Sequence, residues 1–117
     1  ISTPAEIKIA RAALEAEHED MNIMKLQVRS EVLKLYSDYK TNLELLRIQR
    51  EYFSDTEAQF KLVETKFKNG EATLNEYNSV RDRYDGQRMR LLNAENAYAK
   101  ARYELESMIG VSVDEVL

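Results

Sequence analysis

Cysteine and tryptophan do not occur among the 117 residues of this chain, which holds one proline, three glycines and a single histidine. Without cysteine there is no disulfide scaffold, thiolate metal site or thiol catalysis, and no mark of a redox compartment, so a periplasmic and a cytosolic address both fit. So few glycines and prolines leave little punctuation for strands or loops, and the chain reads as all-α. A basic block is missing too: 17 lysines and arginines face 21 aspartates and glutamates, a net charge of -4. Nothing resembles a stripe that neutralises phosphates, and nucleic acid is not expected as a partner. No stretch approaches about 18 consecutive apolar residues. Nor does a basic segment followed by an apolar run open the chain, so neither a membrane helix nor a signal peptide is expected, and the chain as given should be soluble. Segments of about ten alternating apolar and polar residues are also lacking. Any membrane barrel would have to come from elsewhere.

What the chain does have is heptad periodicity on either side of one clear break, Lys68-Asn69-Gly70-Glu71-Ala72-Thr73. The expected arms are a long helix over 5–68 and a shorter one over 73–109, roughly 96 Å and 55 Å long at about 1.5 Å per residue. In the first arm Ile7, Leu14, Met21 and Val28 form one row spaced by seven. Four residues on, a second row begins with Val32 and continues through Tyr39, Leu46, Phe53, Phe60 and Phe67, flanked by Leu35, Tyr36, Leu43 and Val63. Such an offset is a stutter, which relaxes a left-handed supercoil and marks a change of packing partner near residues 28 to 32. The second arm carries Tyr77, Tyr84, Leu91, Tyr98 and Leu105, with Val80, Ala94, Ala101 and Met108 three residues behind four of them and Gln87 behind the fifth. Large side chains alternating with alanine let two helices approach closely, as in a packed antiparallel hairpin.

Folding the arms about Gly70 sets residue 109 opposite roughly residue 32. The row from Val32 to Phe67 then pairs inside the chain, while Ile7, Leu14, Met21 and Val28 run past the end of their partner. Leaving those four in water forgoes about 1.5 to 3 kcal/mol each, so another helix is expected to cover them. Oligomerisation, or a missing part of a longer parent, is implied.

The turn is well specified. Asn69-Gly70 suits a helix end with a left-handed residue, with Lys66 and Lys68 at the negative end of the helix dipole. Thr73-Leu74-Asn75-Glu76 spells a capping box, with Ala72 and Tyr77 in the positions of a weak hydrophobic staple. The second arm ends at Ile109-Gly110, and the tail over 110–117 is too short to interpret.

Catalytic chemistry is thin. Glu15-Ala16-Glu17-His18 is an E-x-x-H on a helix, but a di-iron bundle takes two such motifs plus two further glutamates. His18 is the only histidine, so a second copy of the chain would have to complete the site. A solvated acidic face of Glu15, Glu17, Glu19 and Asp20 is the simpler reading. No nucleophile-base pair, phosphate loop or zinc spacing occurs, and neither an enzyme nor a cofactor is expected. Gly86, inside the second helix, costs about 1 kcal/mol relative to alanine, which suggests a close helix crossing or slight bend there. The nearby charges Arg81, Asp82, Arg83 and Asp85 read as an ordinary charged face.

The run Phe67-Lys68-Asn69-Gly70-Glu71-Ala72-Thr73, followed by Glu76-Tyr77, Val80, Tyr84, Leu91, Ala94, Tyr98, Ala101, Leu105 and Gly110, resembles the repeat of the TolC-like outer membrane efflux proteins. In the first arm, Val28, Val32, Tyr36 and Tyr39 are similar to the valine and aromatic positions of that family's long helix, so the resemblance covers residues of about 5 to 110. It implies one periplasmic hairpin of one repeat from a trimeric channel. In that family, long helices build a hollow barrel from an outer-membrane β-barrel to a tip that meets the adaptor of an efflux pump or secretion system. Gly70, Glu71, Ala72 and Thr73 would then be the adaptor-contact tip. Glu76 would match an acidic position near the constricted entrance, and Ile7, Leu14, Met21 and Val28 would form an oligomer contact. Glu71 departs from the apolar residue that many members carry after the tip glycine. The strands and second repeat are absent, so the chain is expected to be an excised fragment or a shortened relative, reaching the membrane only through a barrel it does not contain. Two other readings stay open from the residues themselves. One is a stand-alone hairpin scaffold that self-associates without a transport role; the other is a metal-dependent bundle.

Overall fold

The computed structural model describes residues 3–117, which contain three helices and no strand. Helix α1 runs Pro4–Lys68, α2 Leu74–Ile109 and the short α3 Val113–Val116. The start of α1 is a capping box, with Glu6 N–H donating to Thr3 Oγ1 at 3.3 Å and Thr3 N–H donating to the Glu6 carboxylate at 3.3 Å. Pro4 follows the cap, where its missing N–H costs nothing and its fixed φ suits the first turn. On the outer face of α1, Arg47 joins Glu44 and Glu51, each at 2.6 Å, an arrangement of one turn forward and one turn back. Exposed pairs of this kind support a helix by a few tenths of a kcal/mol each.

The chain divides into two compact units, the first ending at Lys34 and the second covering Leu35–Leu117. In the first unit α1 has no covered face: every described residue through Glu31 is exposed. In the second unit the later part of α1 packs antiparallel on α2 along the two heptad rows. Ring pairs mark the register. Tyr39 meets Tyr98 at 5.7 Å, Phe53 meets Tyr84 at 5.5 Å, and Phe60 meets Tyr77 at 5.9 Å, one helix advancing by heptads as the other retreats. Phe60 also stacks on Tyr84 and Phe67 on Tyr77, both at 4.8 Å. The fold is therefore a coiled-coil-like helical hairpin, as the row spacing requires.

Gly86 corrects one expectation. A side chain added there would meet nothing within 4 Å, so no close helix crossing occupies that position. Its absent Cβ faces open space rather than the partner helix.

The open end of the hairpin is closed by a segment too short for sequence patterning to interpret. Gly110, at φ 78, ends α2 in the left-handed conformation, and Ser112 caps α3. Val113 is then 1% exposed, packed with Tyr39 and Leu105 and flanked by Leu35, Tyr36, Tyr98 and Ile109. Arg102 secures the fold-back by bonding Glu106 at 2.6 Å and Asp114 at 3.0 Å. The Glu106 bond first, with those to Tyr98 and Asp114, pushes its guanidinium further above its already high pKa.

Candidate functional site

The tip is built by two backbone devices in succession. At the end of α1, Glu71 N–H donates to Lys66 O at 2.7 Å and Gly70 N–H donates to Phe67 O at 3.1 Å. This pair of bonds is a Schellman motif, which requires a left-handed residue at the reversal. Gly70 supplies it with φ 76. Lys66 and Lys68 stand in the last turn, where cations oppose the negative end of the helix dipole.

Three residues later Thr73, with φ -78 and ψ 160, caps α2. Glu76 N–H donates to Thr73 Oγ1 at 3.1 Å and Thr73 N–H donates to a Glu76 carboxylate oxygen at 3.3 Å. The reciprocal pair satisfies two backbone donors that the helix start leaves free. Thus the Glu76 carboxylate has a local task, capping, in addition to any role as an entrance charge. Just inside the turn, the stacked Phe67 and Tyr77 rings close the first layer of the hairpin.

The turn residues Gly70, Glu71 and Thr73 are exposed and Ala72 is half-buried. The tip thus presents a short, conformationally fixed surface with one acidic side chain. The second group singled out from the sequence, Ile7, Leu14, Met21 and Val28, lies on the other side of the unit boundary and is exposed at 44%, 68%, 56% and 53%. Four apolar side chains repeating every seven residues and left this open form an unpartnered helix row. Glu15, Glu17 and His18 are exposed on the same stretch of α1. Among the described residues, no group of three histidine or carboxylate side chains lies close enough to hold a metal ion.

Sequence reasoning overlooked three features of these regions. The box at Thr3 and Glu6 was spelled by Thr-Pro-Ala-Glu, and Ser112 two residues before Asp114 signalled the cap of α3. An amide pair, the buried Gln87 and the half-buried Gln49, was visible only as a break in an alanine row.

The chain matches the outer membrane efflux protein family over residues 2–111. That span takes in both long helices and the tip between them. No curated protein and no solved structure matches the chain with significance. With nearly its whole length covered by the family match, and with the helical hairpin that the resemblance implied, the chain belongs to the outer membrane efflux protein family.

Proposed function

We propose that this hairpin is a periplasmic wall element of an outer membrane efflux or secretion channel and that its tip docks an adaptor protein. The family is one of channels rather than enzymes; its members act at the outer membrane and periplasm, form homotrimers and work with adaptors. No described helix is long and apolar enough to cross a membrane, which fits helices that serve as a conduit wall. The reading is carried by the contrast along α1, whose residues beyond Leu35 find a partner inside the chain while Ile7, Leu14, Met21 and Val28 do not. A wall helix has neighbours from outside its own hairpin, and this row is where they would lie.

Adaptor docking at Gly70, Glu71, Ala72 and Thr73 is supported by the exposure and fixed geometry of the tip, because a preorganised turn loses little entropy on binding. Glu71 would favour a polar or basic contact on the adaptor over an apolar one. Glu76 stands one helical turn inside the tip and adds acidic charge there. The deciding experiment places a photo-crosslinking residue at position 71 of the protein in cells that contain its pump. The expected product is a covalent complex with the periplasmic adaptor. Crosslinks confined to copies of the channel would remove the docking assignment and leave the wall role standing.

A further inference from the structure

The exposed row of α1 has flanks of opposite charge. With Ile7, Leu14, Met21 and Val28 taken as heptad position a, the d positions three residues on are Ala10, Glu17 and Met24. Beside a, at position e, stand Arg11, His18 and Lys25; beside d, at position g, stand Glu6, Ala13, Asp20 and Gln27. The helix surface follows this division, since Glu6, Ile7, Ala10, Arg11 and Leu14 line one shallow depression, in which g, a, d and e meet. Every one of these residues is exposed. Among the described residues, Glu6, Arg11, Asp20 and Lys25 form no ion pair within the chain, whereas Arg47, Lys61 and Lys68 of the same helix each have an acidic partner one turn away.

Which helix covers this face depends on what meets the flanks. When two copies of the row pack antiparallel, e faces e and g faces g in any register. Arg11, His18 and Lys25 then confront one another, as do Glu6 and Asp20. When two copies pack parallel, g of one faces the e position five residues further along the other, and such contacts set partner and orientation. Glu6 then meets Arg11 and Asp20 meets Lys25, each pair formed twice by symmetry, while Ala13 meets His18. A slip of one heptad leaves no arginine or lysine opposite a carboxylate, so the same charges fix the register. Glu17, the one charge inside the row, meets its own counterpart in the parallel arrangement. His18 of the other copy borders the same hole and can donate a hydrogen bond to it.

We infer that the neighbour of the row from Ile7 to Val28 is the same row of another copy, parallel and in register. A rotation axis running along the helices generates this arrangement. The inference rests on the row alone and stands whether or not the hairpin serves a channel.

The chain has no cysteine, so single introduced thiols report the pairing. Positions 10 and 28 are both exposed and lie about 27 Å apart along the helix axis. A disulfide needs α-carbons within about 7 Å, so parallel and antiparallel pairing give different products. In a glutathione redox buffer, full-length Ala10→Cys and Val28→Cys should each form several-fold more disulfide-linked homodimer than they do in urea. An equal mixture of the two should give homodimers in place of the 10–28 heterodimer. Lys25→Glu, added to Val28→Cys, should lower linkage several-fold, because it sets a second carboxylate against Asp20. Asp20→Lys/Lys25→Glu reverses the pair and should restore linkage. Antiparallel pairing gives Lys25→Glu the opposite sign, because a carboxylate there would relieve the contact with Arg11. A heterodimer exceeding both homodimers, linkage raised by Lys25→Glu, no restoration by the reversed pair, or no more homodimer than in urea overturns the inference.

Discussion

Gly70 and Gly86 are the same residue type under opposite constraints. At Gly70 φ is 76, which an L side chain adopts only with strain, although a Cβ there would meet nothing within 4 Å. Gly70→Ala should therefore destabilise by about 1 to 2 kcal/mol through the backbone alone. At Gly86 the backbone is helical and the space around a Cβ is equally empty. Gly86→Ala should stabilise by about 1 kcal/mol, because alanine has less chain entropy to lose and does not need the room to be made. Urea melts of the two variants against the parent check both signs; a stabilising Gly70→Ala would mean the turn does not need its left-handed residue. The glycine at the tip was legible from its neighbours, since Asn before it and a capping box after it define a reversal. The other was not, because periodicity does not say what stands opposite a missing side chain.

At the scale of elements, the two long helices follow from spacing and the short one does not. Rows of seven dictate which side chains of α1 and α2 face each other, and the ring pairs from Tyr39 to Phe67 realise those rows. A helix of four residues has no period to read. Its place depends on the fold-back at Gly110 and on the apolar gap left between Leu35, Tyr39 and Leu105, which exists only once the hairpin has formed. The partner of Gln87 was hidden for a similar reason: an amide in a seam shows polarity, and the register decides which amide it meets. The worth of α3 can be measured. Val113→Ala removes two carbons from a site that is 1% exposed and should cost about 2 kcal/mol, whereas Val116→Ala, at 57% exposure, should change little. Equal melting temperatures for the two variants would show that α3 does not hold its place on the open end.

At the scale of the whole molecule, burial is unevenly shared between the two units. The second has a seam, a capped turn and a closed open end. The first consists of exposed helix to Glu31, and its apolar residues include Ile7, Leu14, Met21 and Val28. Helices of this length gain most of their stability from packing an apolar face rather than from propensity. Each of the four would recover about 1.5 to 3 kcal/mol on burial. The isolated chain should therefore associate in a concentration-dependent manner through this row. Leu14→Glu/Met21→Glu places two charges in the middle of it, and burying them against another helix would be strongly unfavourable. Sedimentation velocity should show the variant shifted toward monomer across the concentrations at which the parent associates. Its circular dichroism per residue should fall little, because Leu35–Leu117 keeps its own contacts and continues to nucleate α1. If the variant retains the parent's oligomers, association runs through another surface, and the row from Ile7 to Val28 is not where the hairpin meets its neighbours.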